Sequence, residues 1–339
     1  MRKASFTRRA ALAALAATAL GAAMPSFAAG PVLLNASYDV AREFYKDYNA
    51  AFIKHWKATA NEDLTVNQSH GGSSKQARAV IDGLEADVLT MNQALDIDVV
   101  ADKGLIAADW AKRLPNNAAP TSSITVFMVR KGNPKGIKDW PDLAKAGTSV
   151  VIPNPKITGN GRYGYLAAWG SAVKAGGTPA QARERVQKIF ANVPVFDGGG
   201  RAATTTFAQR QIGDALVTFE SEVASIVQEF GNNFEIVYPK TTVLAENPVA
   251  VVDKVVDKKG TRKQAEAYLK YLWSDEAQAI AARHNLRVRS EKVMAANAKQ
   301  FPKVATFTVD EVFGGWSKAQ KEHFDDGAIY DQILKAGRK

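Results

Sequence analysis

Short apolar runs that end in glycine and hydroxyl residues constrain this chain of 339 residues more than any other feature. Residues 64–66 have the composition of a strand, and the loop 68–76 contains two glycines followed by Ser73 and Ser74. Apolar residues with the spacing of one helix face come next: Ala77, Val80, Ile81 and Leu84. We therefore predict a strand, a glycine loop and a helix N-terminus in direct succession.

The same succession occurs twice more. A strand predicted over residues 148–152 precedes the loop 157–162, and one predicted over residues 193–196 precedes the loop 197–201. Free backbone N–H groups and the positive end of the helix dipole make each such helix start a possible anion cradle. The alternative interpretation is three turns with ordinary helix caps, because an α/β fold needs many of them.

Strands that alternate with helices indicate an α/β fold, in which ligands bind beyond the carboxyl ends of the strands. Further strands are predicted over residues 31–37, 122–130, 215–219, 234–238 and 249–256. Residues 243–248 have no regular pattern, and residues 261–284 form one long helix or a pair with a new cap at Ser274. The long strands 122–130 and 249–256 are places where the chain could pass between two lobes and return.

The N-terminus has the pattern of a secretory signal. Basic residues precede an apolar run over residues 10–23 that is too short to span a bilayer, and a small-x-small site ends at Ala28. We predict cleavage after Ala28 and a soluble periplasmic protein. The paired Arg8 and Arg9 leave the twin-arginine and general secretory routes open. The basic residues behind the net charge of +10 are scattered among acids, so no nucleic-acid binding is predicted.

Signals for catalysis are poor. The chain has no cysteine, and its four histidines lack the spacing of metal ligands, so no metal site is expected. The nucleophile elbow, the Walker A loop and the dinucleotide fingerprint are absent, so no cofactor is expected. Glu220 and Glu222 lie two residues apart and would not share a helix face, which makes them a poor acid–base pair.

Two arginines stand inside the second and third loops. Arg162 and Arg201 could bind an anion directly or pair with Asp39, Asp197 or Glu220. We favour the second interpretation, in which the arginines brace the loops and hold the donors in place.

Several longer motifs resemble those of one family: LLNASYD at 33–39, QSHGGS at 68–73, RKGNPK at 130–135, PNPK at 153–156, YLAAWG at 165–170 and VFGGW at 312–316. They are similar to the periplasmic sulfate/thiosulfate-binding proteins of ABC importers. The resemblance implies a two-lobed type II periplasmic binding protein, with two mixed sheets flanked by helices and joined by a hinge. It places lobe I at residues 29–122 and 248–305, lobe II at 123–247, and a C-terminal helical tail that packs on the lobes at 306–339.

The resemblance also implies a ligand set for one dehydrated tetrahedral oxyanion. The matching groups are the backbone N–H of Asp39, Gly159, Asn160 and Gly200 and the hydroxyls of Ser73 and Thr158. Phe219 stands where the sulfate branch has a tryptophan that donates to the ligand, and this resembles the thiosulfate branch. The VFGGW motif resembles the sulfate branch, so the preference stays open.

We therefore expect a monomeric receptor that captures sulfate or thiosulfate and delivers it to an inner-membrane ABC permease, without catalysis. Two alternatives remain. One is a receptor for phosphate or molybdate, and the other is an exported enzyme that binds a phosphate-bearing cofactor.

Overall fold

A computed structural model describes residues 30–337, and the predicted signal over residues 1–28 lies outside them. The strands are β1 Val32–Tyr38, β2 Thr65–Gly71, β3 Val88–Thr90, β4 Thr121–Arg130, β5 Val150–Pro153, β6 Phe196–Asp197, β7 Ala215–Phe219, β8 Phe234–Val237, β9 Thr241–Asn247, β10 Val249–Val251, β11 Arg287–Val288 and β12 Ala305–Phe307.

The α-helices are α1 Arg42–Ala60, α2 Ser73–Ile81, α3 Leu95–Ala101, α4 Pro115–Ala118, α5 Trp140–Leu143, α6 Gly159–Lys174, α7 Pro179–Ala191, α8 Gly200–Thr204, α9 Glu220–Phe230, α10 Asp253–Lys259, α11 Arg262–Tyr271, α12 Asp275–Arg283, α13 Glu291–Ala296, α14 Val309–Phe313, α15 Trp316–Ala319 and α16 Ile329–Gly337. Short 3-10 turns lie at Asp39–Ala41 and Trp110–Lys112, and π-helical turns at Thr205–Gln209 and Gln320–Phe324.

The first lobe is built on a four-stranded mixed sheet in the order β10-β3-β1-β2. β1 runs parallel to β2 and β3, while β10 runs antiparallel to β3. Side chains alternate along β1, so that Leu33 packs with α1 on one face and Ala36 packs with α2 and α3 on the other. α1 supplies a row of buried aromatic side chains spaced by four residues: Phe44, Tyr48, Phe52 and Trp56.

The second lobe is built on an eight-stranded mixed sheet in the order β12-β9-β4-β7-β5-β6, with β8 and β11 also paired to β4. β4 pairs antiparallel with β9 through its first residues and with β7 through its later ones. α6 lies in the core of this lobe, where its apolar side chains contact α7, β9 and the C-terminal helices. The chain leaves β5 at Pro153 and, after a short loop, enters the buried N-terminus of α6 at Gly159.

The return of the chain to the first lobe differs from the prediction. Residues 243–248, predicted to be irregular, lie largely in β9, which pairs with β4. Residues 249–256, predicted to be one strand, form the short β10 and then enter α10. The chain thus passes back between β9 and β10, at Pro248.

The composition of α10 explains why the valine run misled the prediction. The helix begins at Asp253, carries Lys258 and Lys259 in its last turn, and ends at Gly260 with φ of 69°. An acidic start, a basic end and a left-handed glycine are helix signals that outweigh β-propensity here. Residues 261–284 form the pair α11 and α12, and the Ser274 hydroxyl accepts from Ala277 N at 3.2 Å as the predicted cap.

The C-terminal helices α14, α15 and α16 pack on α6 and α7, within the core of the second lobe. Trp316 of the VFGGW motif meets the ring of Tyr163 in α6 edge to face, with centroids 5.0 Å apart. Among the helices of residues 30–337, none combines the length and the apolar composition needed to cross a membrane.

Candidate functional site

The N-terminus of α6 is the centre of the candidate site. Thr158 caps this helix, because its hydroxyl accepts from Gly161 N at 3.0 Å and donates to the Asn154 carbonyl at 2.8 Å. Gly159 and Asn160 are the first two residues of the helix, and both are buried. Their N–H groups have no acceptor within the helix, so they are available to an anion.

The first lobe touches this helix start at two points. A Cβ atom on Gly159 would lie 2.6 Å from Asn92 Oδ1, so any side chain at this position would have to displace the Asn92 amide. Arg162 Nη1 lies 3.5 Å from the hydroxyl oxygen of Ser74, in the first turn of α2. The starts of α2 and α6 are therefore neighbours, although they belong to different lobes.

Ser73 and Ser74 open α2 beside a buried carboxyl group. The Ser74 hydroxyl donates to Asp96 Oδ1 at 2.8 Å, and Gln93 Nε2 donates to Asp96 Oδ2 at 2.9 Å. Burial raises the pKa of Asp96, and hydrogen bonds from the two serines and Gln93 oppose this effect. The Ser73 hydroxyl lies 3.4 Å from Met91 Sδ and is almost fully buried.

The third loop lies beside the first turn of α6. Gly200 begins α8, and a Cβ atom on it would lie 3.0 Å from Asn160 Nδ2 and 3.2 Å from Glu222 Oε2. Asn160 Nδ2 in turn donates to Glu222 Oε1 at 3.0 Å. All three predicted glycine loops are therefore brought together around the start of α6.

Glu222 introduces a buried carboxyl group that the sequence analysis set aside. Burial raises the pKa of Glu222 to about 7; negative Asp39 adds to this rise, while a hydrogen bond from Thr218 and positive Arg201 oppose it. Glu220 instead forms an ion pair with Arg287, whose Nε donates to Glu220 Oε2 at 2.6 Å. The two glutamates do not act as a pair.

Asp39 lies at the carboxyl end of β1. Its side chain pairs with Arg42 at 3.2 Å and is half exposed. His70 Nδ1 lies 3.2 Å from the carbonyl oxygen of Tyr38. The tautomer that donates there polarises the Tyr38–Asp39 peptide group and strengthens the Asp39 N–H as a donor.

The arginines have other partners than those predicted. Arg162 is buried and donates to the Lys156 carbonyl at 3.2 Å, within the loop that leads into α6. Arg201 is exposed and lies 3.7 Å from Glu229. Pairing with Asp39, Asp197 or Glu220 was therefore the wrong expectation. Those three acids contact Arg42, Thr206 and Arg287 instead.

Phe219 ends β7 and precedes α9. It is 4% exposed and lies in the hydrophobic core of the second lobe. Its ring meets the ring of Tyr163 in α6 with centroids 5.6 Å apart. Tyr163 lies one helical turn after the start of α6, so Phe219 packs beside the first turn of this helix. The predicted contact of Phe219 with a ligand stays a prediction.

A crevice of about 740 Å³ runs between the lobes beside this cluster. Asp39, Arg42, Arg201, Glu222 and Arg283 are among the residues that line it. No group of three potential metal ligands occurs within residues 30–337. The arrangement thus offers backbone N–H groups and hydroxyls to a small buried anion, with charged side chains around its approach.

Several known proteins resemble this chain in sequence and in fold. The model of a family described as bacterial extracellular solute-binding protein matches residues 33–287. The thiosulfate-binding protein of Pseudomonas aeruginosa is 62% identical over 323 residues, which are 95% of this chain and 97% of that protein. The chain belongs to the family of bacterial sulfate- and thiosulfate-binding proteins.

Two further members of this family support the assignment. The sulfate-binding protein of Escherichia coli K12 is 52% identical over 305 residues, which are 89% of this chain and 93% of that protein. The solved structure of the sulfate-binding protein SubI from Mycobacterium tuberculosis H37Rv superposes with a TM-score of 0.76 at 28% identity, covering 87% of this chain and all of that one. The predicted two-lobed α/β fold with two mixed sheets is confirmed.

Two site residues escaped the sequence analysis because their positions depend on tertiary packing. Asn92 follows β3 without any glycine or hydroxyl pattern, and Glu222 lies three residues after the end of β7. The available signal was topological, since both residues follow the carboxyl end of a strand, where α/β proteins place their ligands.

Proposed function

We propose that this protein is a periplasmic receptor that captures sulfate or thiosulfate and delivers it to an ABC permease, without performing catalysis. The observation that carries the proposal is that the N-termini of α2, α6 and α8 lie next to one another, with Gly159 close to Asn92 of the other lobe. Relatives named for sulfate and thiosulfate binding cover nearly the whole chain and support the same conclusion. The ligand groups are the backbone N–H of Asp39, Gly159, Asn160 and Gly200, and the hydroxyls of Ser73 and Thr158. The Thr158 hydroxyl would have to turn its proton from the Asn154 carbonyl to the anion.

Capture proceeds by closure of the two lobes. Ser73 and Asp39 belong to the first lobe, whereas Gly159, Asn160 and Gly200 belong to the second. Only a ligand that contacts both sets stabilises the closed form, because each lobe alone supplies part of the donors. Cleavage after Ala28 would release the receptor into the periplasm, and the lobes would divide as the resemblance implies.

Thiosulfate is the proposed preferred ligand. Phe219 has no hydrogen-bond donor, and thiosulfate carries one sulfur that accepts hydrogen bonds poorly. A polarisable aromatic edge suits sulfur better than it suits oxygen. The most similar of the relatives described above carries the name of a thiosulfate-binding protein.

Calorimetry with protein freed of ligand tests the proposal. Sodium thiosulfate, sulfate, phosphate and molybdate are titrated in turn. We expect saturable binding of thiosulfate and sulfate at one anion per chain. Tighter binding of phosphate or molybdate would assign another oxyanion, and heat from none of the four would overturn the proposed function.

A further inference from the structure

Asn160 and Glu222 form a buried pair at the edge of the proposed anion site. Both residues are buried, and Asn160 Nδ2 donates to Glu222 Oε1 at 3.0 Å. Gly200 lies against both members of the pair. The pair therefore stands between the first turns of α6 and α8, whose N–H groups are the proposed anion donors.

The second polar atom of the Asn160 amide has a different environment. Asn160 Oδ1 is buried, and no donor within residues 30–337 reaches it. A buried acceptor without a donor is costly, and it repels an anion placed beside it. Turning the amide would present NH₂ to the anion, but an ionised Glu222 cannot donate to the oxygen that would then face it.

The charges around Glu222 do not by themselves keep it ionised. Asp39 faces it from the end of β1 and Arg201 faces it from α8, while Thr218 of β7 contributes a hydrogen bond. Arg42 also lines the adjoining crevice, but it pairs with Asp39 at 3.2 Å. The neighbouring Tyr38 stays neutral, because burial holds its pKa far above the usual range. A dianion would be a further negative charge next to this carboxyl group.

We propose that the site takes up one proton together with the dianion, and that Glu222 and Asn160 form the switch that receives it. In the free protein the Glu222 carboxylate accepts from Asn160 Nδ2. When the dianion binds, the carboxylate takes a proton from solvent, and its new O–H donates to Asn160 Oδ1. The Asn160 NH₂ group then turns to the anion. This inference rests on the proposed function, since it concerns the same site.

Proton uptake has a defined pH dependence. Burial raises the pKa of Glu222 in the free protein to about 7. At pH 8 about nine-tenths of the free protein would bind a proton with the anion, and at pH 5.5 almost none would, because Glu222 is already protonated. Affinity for the dianion should therefore fall by up to about tenfold per pH unit above pH 7.

Calorimetry of the wild-type protein in two buffers tests this directly. Sodium thiosulfate is titrated at pH 8 in Tris and in HEPES, which differ in ionisation enthalpy, and the difference in heat counts the protons. We expect close to one proton per anion at pH 8 and close to none at pH 5.5. Normal binding without proton uptake at pH 8 would overturn the inference but leave the proposed function intact. Absence of binding to both thiosulfate and sulfate would overturn both.

The variant Glu222→Gln separates the switch from general packing. A glutamine NH₂ can donate to Asn160 Oδ1 at every pH, so the variant imitates the protonated state. We expect no proton uptake and an affinity at pH 8 that equals or exceeds that of the wild type. The matched control Glu184→Gln, on the exposed surface of α7, should keep the wild-type proton count. Unchanged uptake in Glu222→Gln would assign the proton to another group.

Discussion

Asn92 of the first lobe lies so close to Gly159 of the second that a Cβ atom on Gly159 would stand 2.6 Å from the Asn92 side-chain oxygen. Asn92 is buried and Gly159 is the first residue of α6, so the contact lies at the proposed anion site. A side chain at position 159 would therefore have to displace the Asn92 amide where the two lobes meet.

Gly159→Ala should weaken anion binding. The added methyl group would meet the Asn92 side chain where the two lobes approach each other, and overpacking of this kind costs about 1–3 kcal/mol. Calorimetry should show an affinity reduced by about tenfold to a hundredfold. The control Gly198→Ala, where a Cβ atom meets open space, should bind normally. Equal affinities for the two variants would mean that binding does not require this approach.

Ser73→Ala should reduce affinity with little change in the stability of the unbound protein. In the unbound protein this hydroxyl contacts Met91 and Asp96, and in the complex it would turn to the anion. The loss of a donor to a buried charge should cost about 1.5–3 kcal/mol of binding free energy. Calorimetry measures the affinity, and thermal unfolding without anion measures the stability. Ser317→Ala, on the exposed face of α15, is the control. If Ser73→Ala binds as tightly as the control, the Ser73 hydroxyl is no ligand group.

Thr158→Ala should also lower the stability of the unbound protein, because this hydroxyl caps α6. It accepts from Gly161 N and donates to the Asn154 carbonyl, so its loss removes the cap of α6. We expect the free energy of unfolding to fall by about 1 kcal/mol, in addition to any loss of affinity. Thr158→Ser keeps the hydroxyl and should restore the stability measured by denaturant unfolding. Unchanged stability of Thr158→Ala would contradict the capping role.

The contrast between Ser73 and Thr158 shows what the sequence could predict. The glycine loops, the helix starts and their place after strands were readable, because spacing and turn chemistry act locally. Which hydroxyl caps a helix and which lies beside a buried carboxyl group depends on the neighbours that folding supplies, such as the Asn154 carbonyl and Asp96. The partners of Arg162 and Arg201 were mispredicted for the same reason.

Glu222 is a site residue whose role could not be predicted from the sequence. In the sequence it is one of two acids after a strand, and helix geometry correctly separates it from Glu220. Its importance arises because α9 places it against Asn160 of α6 and Gly200 of α8, which are 62 and 22 positions away. No local pattern predicts that these three residues come into contact. Burial at this place raises the pKa of the Glu222 carboxyl group.

Phe219→Trp should shift the ligand preference towards sulfate. An indole N–H could satisfy a fourth oxygen of sulfate, whereas it would crowd the sulfur of thiosulfate, and the ratio of affinities should change by at most about 1.5–3 kcal/mol. Competition between the two anions measures the ratio. Phe219→Leu, which adds no donor, should not move the ratio towards sulfate. A ratio that Phe219→Trp leaves unchanged would mean that Phe219 is core packing beside Tyr163.

Glu222→Gln should stabilise the unbound protein at alkaline pH. The pKa of Glu222 is raised from 4.5 to about 7 in the folded protein, so the wild type loses stability as the pH rises through this window. The variant lacks this loss, and its advantage in free energy of unfolding should grow by about 3 kcal/mol between pH 4.5 and pH 8. Denaturant unfolding at both pH values measures it. An advantage that is independent of pH would place the Glu222 pKa near its ordinary value.

A crystal structure of the protein grown with sodium thiosulfate tests the central claim most directly. We predict one anion between the lobes, with its atoms about 2.7–3.1 Å from the N–H groups of Gly159, Asn160 and Gly200 and from the Ser73 hydroxyl. An anion bound elsewhere, for example at the exposed arginines of the crevice, with the starts of α2, α6 and α8 left without it, would contradict the account.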